Sequence, residues 1–173
     1  SAANALGGAG ARGGLLGGGG GVDADPSGTT HPPPPPGGIT ALDLLVRHPD
    51  RLRHVIAHEP PCVTLLPDGE RLRAELIGQL GAGHRDSGEP TPFSVFLAHV
   101  LRPFSAYRPA AGLPRLTVAA GTDSRGQLLH EAAEFTAEHT GGAFIEVPGG
   151  HLGTLEHPVS FADRVTETLL ATG

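Results

Sequence analysis

Methionine, lysine and tryptophan are all missing from the 173 residues, and cysteine occurs once, as Cys62. A single cysteine excludes an internal disulfide and fits a reducing, cytoplasmic setting. The 12 basic residues are therefore all arginine. They are scattered rather than clustered, and the formal net charge is −6. That distribution speaks against nucleic acid and against an anionic membrane surface as partners. No apolar run approaches the roughly 20 residues that span a bilayer. The missing methionine at position 1 leads us to expect a piece of a longer protein, or a processed start. The length is that of one domain with a core of its own.

Composition changes sharply near Gly38. Residues 1–38 hold 13 of the 27 glycines, the glycine run 17–21 and the proline run Pro32 to Pro36. Such a segment has little apolar surface to offset its ordering entropy, so a disordered or linker-like stretch is expected there. The leucines Leu6, Leu15 and Leu16 are isolated among glycines and form no apolar h-region, so it does not read as a signal peptide. The prolines favour polyproline II. As an interaction segment they could dock in an SH3 or WW groove, though the arginine flank of a good ligand is missing.

From Ile39 onward the periodicity is that of a globular chain. ITALDLLVRH (39–48) has helical spacing and stops at Pro49. LRHVIA (52–57) reads as a buried strand. Leu72, Leu76 and Leu80 mark an amphipathic helix over 70–80. A loop is expected over 81–92 and a short helix over 93–101. RLTVAA (115–120) is a strand, 127–139 a helix, AFIEV (143–147) a strand and 159–172 a last helix. Strands alternating with helices predict an α/β fold with a mainly parallel sheet and crossover helices.

In such sheets functional groups gather at the carboxyl ends of strands. Three ends carry them here: His58-Glu59, Thr122-Asp123-Ser124 and His151. A histidine acting as general base needs a carboxylate to fix its tautomer, and Asp123 with His151 suits that job. Gly149 and Gly150 permit a sharp loop before His151. A surface Asp in a turn and a loop His is the bland alternative. Glu59 is a rival acid, or else a structural carboxylate. His58 reads as a cleft or packing histidine, and Cys62 as a small core hydrophobe. No histidine or cysteine spacing matches a metal site, so no metal is expected.

Three stretches together resemble the α/β-hydrolase family, in that family's order. ITALDLLVRHPDRLRHVIAHEPP is similar to the helix after the nucleophile and the next strand. LTVAAGTDSRGQ is similar to the strand and turn that carry the acid. VPGGHLGTLEHPVSFADRV is similar to the histidine loop and final helix. The resemblance covers about 135 residues, the carboxy-terminal part of that fold. It implies Asp123 as acid, His151 as base, residues 63–107 as a small helical cap, a small-molecule ester-type substrate and no cofactor. It also implies a serine in G-x-S-x-G just before ITALDLL. Pro35 occupies that slot and Pro36 the next, so neither a hydroxyl nor an oxyanion-hole N–H is available. Ser27, in PSG, is the nearest serine. The expectation is thus a serine hydrolase by resemblance, incomplete or inactive as written. The alternatives are a catalytically silent binding protein or an interaction segment using Pro32 to Pro36.

Overall fold

A computed structural model describes residues 37–82 and 91–172. The expectations for the glycine- and proline-rich stretch, including Ser27 and Pro32 to Pro36, fall on residues 1–36 and lie outside the described residues. Helix α1 (Gly37–Arg47) leads through a single turn at Pro49–Arg51 into strand β1 (Val55–His58). A turn at Val63–Leu65 precedes α2 (Gly69–Ala82). After the undescribed residues come α3 (Pro92–Phe96), a π-helical turn (Leu97–Leu101) and one further helical turn (Arg102–Phe104). Strand β2 (Leu116–Gly121), helix α4 (Leu128–Thr140) and strand β3 (Ala143–Val147) follow. The short helix α5 (Gly153–Glu156) and α6 (Pro158–Ala171) complete the described chain.

The three strands form one parallel sheet in the order β1-β2-β3. Ala57 lies opposite Val118, and Val118 opposite Phe144. Every residue of β2 is buried, which is why LTVAAG reads as apolar and small without alternation: a central parallel strand is covered on both faces. On one face Ile39, Leu42 and Leu45 of α1 and Ala133 and Ala137 of α4 pack on Val55, Ala57, Leu116, Val118 and Ala120. On the other, Phe161 of α6 packs on Ala119 and Val147, with Ile56, Ile145 and Val165 around it. The layers are therefore helix, sheet, helix, an α/β architecture.

Residues 63–107, expected as a cap, hold helical segments at Val63–Leu65, at Gly69–Ala82 and from Pro92 to Phe104 among their described residues. Leu72 and Leu76 of α2 are buried with Val63 and Leu66 against Leu128 and Ala132 of α4. The leucine spacing foresaw that face, and truncating either leucine to alanine should cost about 2–5 kcal/mol. Strand β1 begins at Val55 rather than at Leu52 and runs on through His58, and two further differences from the sequence reading concern glycines. Gly37 and Gly38 already belong to α1, and the histidine loop contains α5. In both places glycines that look like loop residues are needed because backbones approach closely. A Cβ on Gly38 would stand 3.2 Å from Pro60, and one on Gly153 would stand 2.5 Å from the Pro148 carbonyl oxygen.

Candidate active site

Strand β1 ends in His58, and the chain turns at Glu59 toward Pro60-Pro61. The Glu59 backbone N–H still donates to the Ala119 carbonyl, at 2.8 Å. Its φ is +40°, in the left-handed region that a glutamate rarely adopts. A strained backbone of this kind costs of order 1–3 kcal/mol, and it turns the side chain over the end of the sheet.

There the Glu59 side chain is 1% exposed. One carboxylate oxygen accepts the backbone N–H of Gly121, at 2.9 Å. The other lies 2.9 Å from Nδ1 of His151. The Ser124 side chain also favours the ionised form of the carboxylate. Burial alone would push the carboxyl group up. The bonds from His151 and Gly121, the Ser124 side chain and the charge of His151 outweigh it and hold Glu59 below its ordinary value. The group is therefore a buried carboxylate that stays ionised. An ionised carboxylate only accepts, so the Nδ1 of His151 carries the proton and donates it. In the neutral ring, Nε2 is then left with the lone pair.

Glu59 reaches His151 across an intervening strand, since β2 separates β1 from β3. Gly121 makes the crossing possible. A Cβ there would stand 2.3 Å from the Gly149 carbonyl oxygen and 2.8 Å from the Gly150 Cα. With no side chain at the end of β2, the turn after β3 closes down on it. Gly149, at φ +86°, makes the turn, and its Cβ would meet the Gly153 Cα at 2.8 Å. The Gly150 N–H donates to the Glu156 carboxylate at 2.8 Å, which ties the loop to α5. The His151 side chain remains 28% exposed, so solvent or a ligand can reach it.

His58 flanks the pair. Its ring is stacked on His151 with centroids 6.1 Å apart, and meets Phe161 edge-on at 5.2 Å. Its Nε2 is buried without a hydrogen-bond partner among the described residues. Burial, and secondarily the His151 charge, lower its affinity for a proton, while Glu59 pulls the other way. A neutral imidazole thus packs beside the Glu59–His151 pair.

Asp123, the acid implied by the resemblance, is exposed, in the turn Thr122–Ser124. Its carboxylate accepts from the Thr122 hydroxyl at 3.4 Å, and its backbone N–H donates to the Gly149 carbonyl at 3.1 Å. The hydrogen-bonded acid of His151 is Glu59 instead, and Asp123 contributes to the loop through its backbone. The sequence reading missed the part played by Gly121. The run LTVAAG, apolar apart from Thr117 and without alternation, was the available signal, since it marks a central strand whose glycine end lies between the other two.

Cys62 is buried, and burial pushes its thiol up to about 12, so it packs and does not react. A shallow pocket of about 490 Å³ lies at the end of β3, lined by Thr122, Pro148, Asp163 and Arg164 among others; neither Glu59 nor His151 borders it. Among the described residues no group of three or more His, Cys, Asp or Glu could hold a metal ion. No helix among them is long and apolar enough to cross a membrane.

No protein-family model matches the chain, and no solved structure matches it. It is similar to a protein named uncharacterized hydrolase YraK from Bacillus subtilis (strain 168), at 25% identity over 164 residues. The match covers 77% of this chain and 60% of that protein, so the chain spans less than two thirds of the relative's length.

Proposed function

We propose that this chain carries the acid–base part of a hydrolase site of the α/β-hydrolase type, in which Glu59 orients His151 and His151 Nε2 is the general base. The observation that carries this reading is the 2.9 Å contact between the buried Glu59 carboxylate and His151 Nδ1. A carboxylate on one ring nitrogen fixes the tautomer and stabilises the imidazolium formed when the other takes a proton. The hydrolase name of the Bacillus protein supports the same reading. The substrate class is an ester-type carbonyl compound, attacked by a hydroxyl that His151 deprotonates.

Helix α1 indicates where that hydroxyl belongs. Gly38, in its first turn, lies against Pro60 and the His58 carbonyl oxygen. The chain thus enters α1 beside the Glu59 turn, the place a strand-to-helix nucleophile elbow would occupy. Pro35 and Pro36 stand there in the sequence, so the chain as written does not turn over. The test is a graft: residues 22–38 replaced by an apolar strand followed by G-x-S-x-G-G. The grafted serine should label with a fluorophosphonate, and His151→Ala should abolish the labelling, while the unaltered chain stays unlabelled. A folded graft that stays unlabelled, or labels equally with His151→Ala, overturns the reading.

A further inference from the structure

The loop that carries His151 begins Pro148-Gly149-Gly150, and two adjacent glycines set no direction by themselves. We propose that Glu156 is a positioning residue for His151: from the short helix α5 its carboxylate holds the Gly150 N–H and aims the next residue, His151, at Glu59. The proposal rests on the Glu59–His151 reading and extends it to the group that holds the base in place.

The geometry centres on Gly150. This residue is buried, as is Gly149. A buried backbone N–H needs an acceptor, and the Glu156 carboxylate supplies one at 2.8 Å. The Gly150 carbonyl oxygen accepts the Gly153 N–H at 2.9 Å. Both polar groups of Gly150 are therefore taken by α5, one by its last residue and one by its first. Glu156 is fixed in turn, because its own N–H donates to the Leu152 carbonyl at 3.1 Å. Its carboxylate oxygen stands 3.0 Å from the Cβ position of Gly149 and 3.6 Å from that of Gly150. It thus lies over both glycines, where neither has a side chain to turn it away.

From the other side, the Asp123 N–H donates to the Gly149 carbonyl at 3.1 Å. The loop is held between the turn after β2 and Glu156, and His151 Nδ1 arrives 2.9 Å from Glu59. A carboxylate acceptor makes a stronger bond than a neutral one. Glu156 is itself exposed, so removing it opens no hole in the core. The loss should fall on the aim of the loop rather than on the fold.

The experiment measures, by NMR on the full chain, how fast the His151 Nδ1 proton exchanges with water. In Glu156→Ala it should exchange about tenfold faster, the scale of one charge-assisted hydrogen bond at a partly exposed site. Glu156→Gln keeps an oxygen acceptor and should stay within about threefold of the wild type. The Val118 amide, in the central strand, is the reference and should keep its wild-type rate in both. Should Glu156→Ala fail to fold, Glu156→Asp draws the carboxylate back by one methylene and should accelerate exchange in the same direction. An unchanged Nδ1 rate in a folded Ala or Asp variant overturns the proposal. Val118 exchange that speeds up equally also overturns it, since Glu156 would then only stabilise the fold. So does a Gln variant as fast as Ala, which would place the effect elsewhere than the Gly150 N–H. Glu59→Gln separates the two claims. A Nδ1 signal unaltered in that variant contradicts the Glu59–His151 pair itself, whereas a signal lost there but indifferent to Glu156 keeps the pair and removes the Glu156 role.

Discussion

Two carboxylates sit on the turns that close β1 and β2, and they have opposite fates. Glu59 is buried, strained at φ +40° and held by the Gly121 N–H and His151, whereas Asp123 is exposed and its carboxylate accepts from the hydroxyl of its neighbour Thr122. The strand end that looks more like an acid-bearing turn supplies a backbone donor, the Gly121 N–H, and the carboxylate comes from the neighbouring strand. An acid is made by the donors that converge on it and by exclusion of water, not by its place in a motif.

The sharpest way to break this contrast is at Gly121. A methyl group there would overlap the Gly149 carbonyl, 2.3 Å away, and backbone cannot rotate aside as a flexible side chain can. Gly121→Ala should destabilise the fold by more than about 3 kcal/mol in urea denaturation, or leave it unfolded. The next largest effect separates the two acids directly. Glu59→Ala leaves the Gly121 N–H without its acceptor and His151 unpaired, and should cost about 2–4 kcal/mol. Asp123→Ala should fall within about 0.5 kcal/mol of the wild type, as exposed substitutions usually do.

Smaller effects come from titration. The folded protein holds Glu59 below its ordinary value. Its contribution is fully present above the unfolded value and is lost as pH falls through the lower, folded one. Glu59→Gln should remove that part of the acid-side slope of stability against pH. His58 is also held below its ordinary value, chiefly by burial. The unfolded chain binds a proton there first, so stability declines as pH falls below about 6.5, toward the folded value. His58→Phe keeps an aromatic ring against Phe161 and should flatten that decline. A steeper decline in the variant would show that His58 is charged in the folded protein.

Much of the architecture was legible. AFIEV is β3 with the expected bounds, and the leucine spacing of 72 and 76 identifies the buried face of α2. Both are local patterns, set by side-chain period against a covered face. The place of His151 in a loop after β3 was legible for the same reason, since PGG before it signals a turn beyond a strand. The identity of its partner was not. That depends on how three strand ends stack in space, and on Gly121 having no side chain where the two outer turns must meet. The α1 boundary was obscured likewise, because Gly37 and Gly38 look like loop residues, and only Gly38 has Pro60 packed against it.

The central claim is that Glu59, and not Asp123, holds His151 Nδ1. Imidazole-edited NMR of the wild type, Glu59→Gln and Asp123→Asn near neutral pH tests it most directly. A carboxylate-bonded Nδ1 proton should appear far downfield in the wild type, persist unchanged in Asp123→Asn, and move or vanish in Glu59→Gln. A signal that survives Glu59→Gln and is lost in Asp123→Asn would contradict the account and return the acid to the turn after β2.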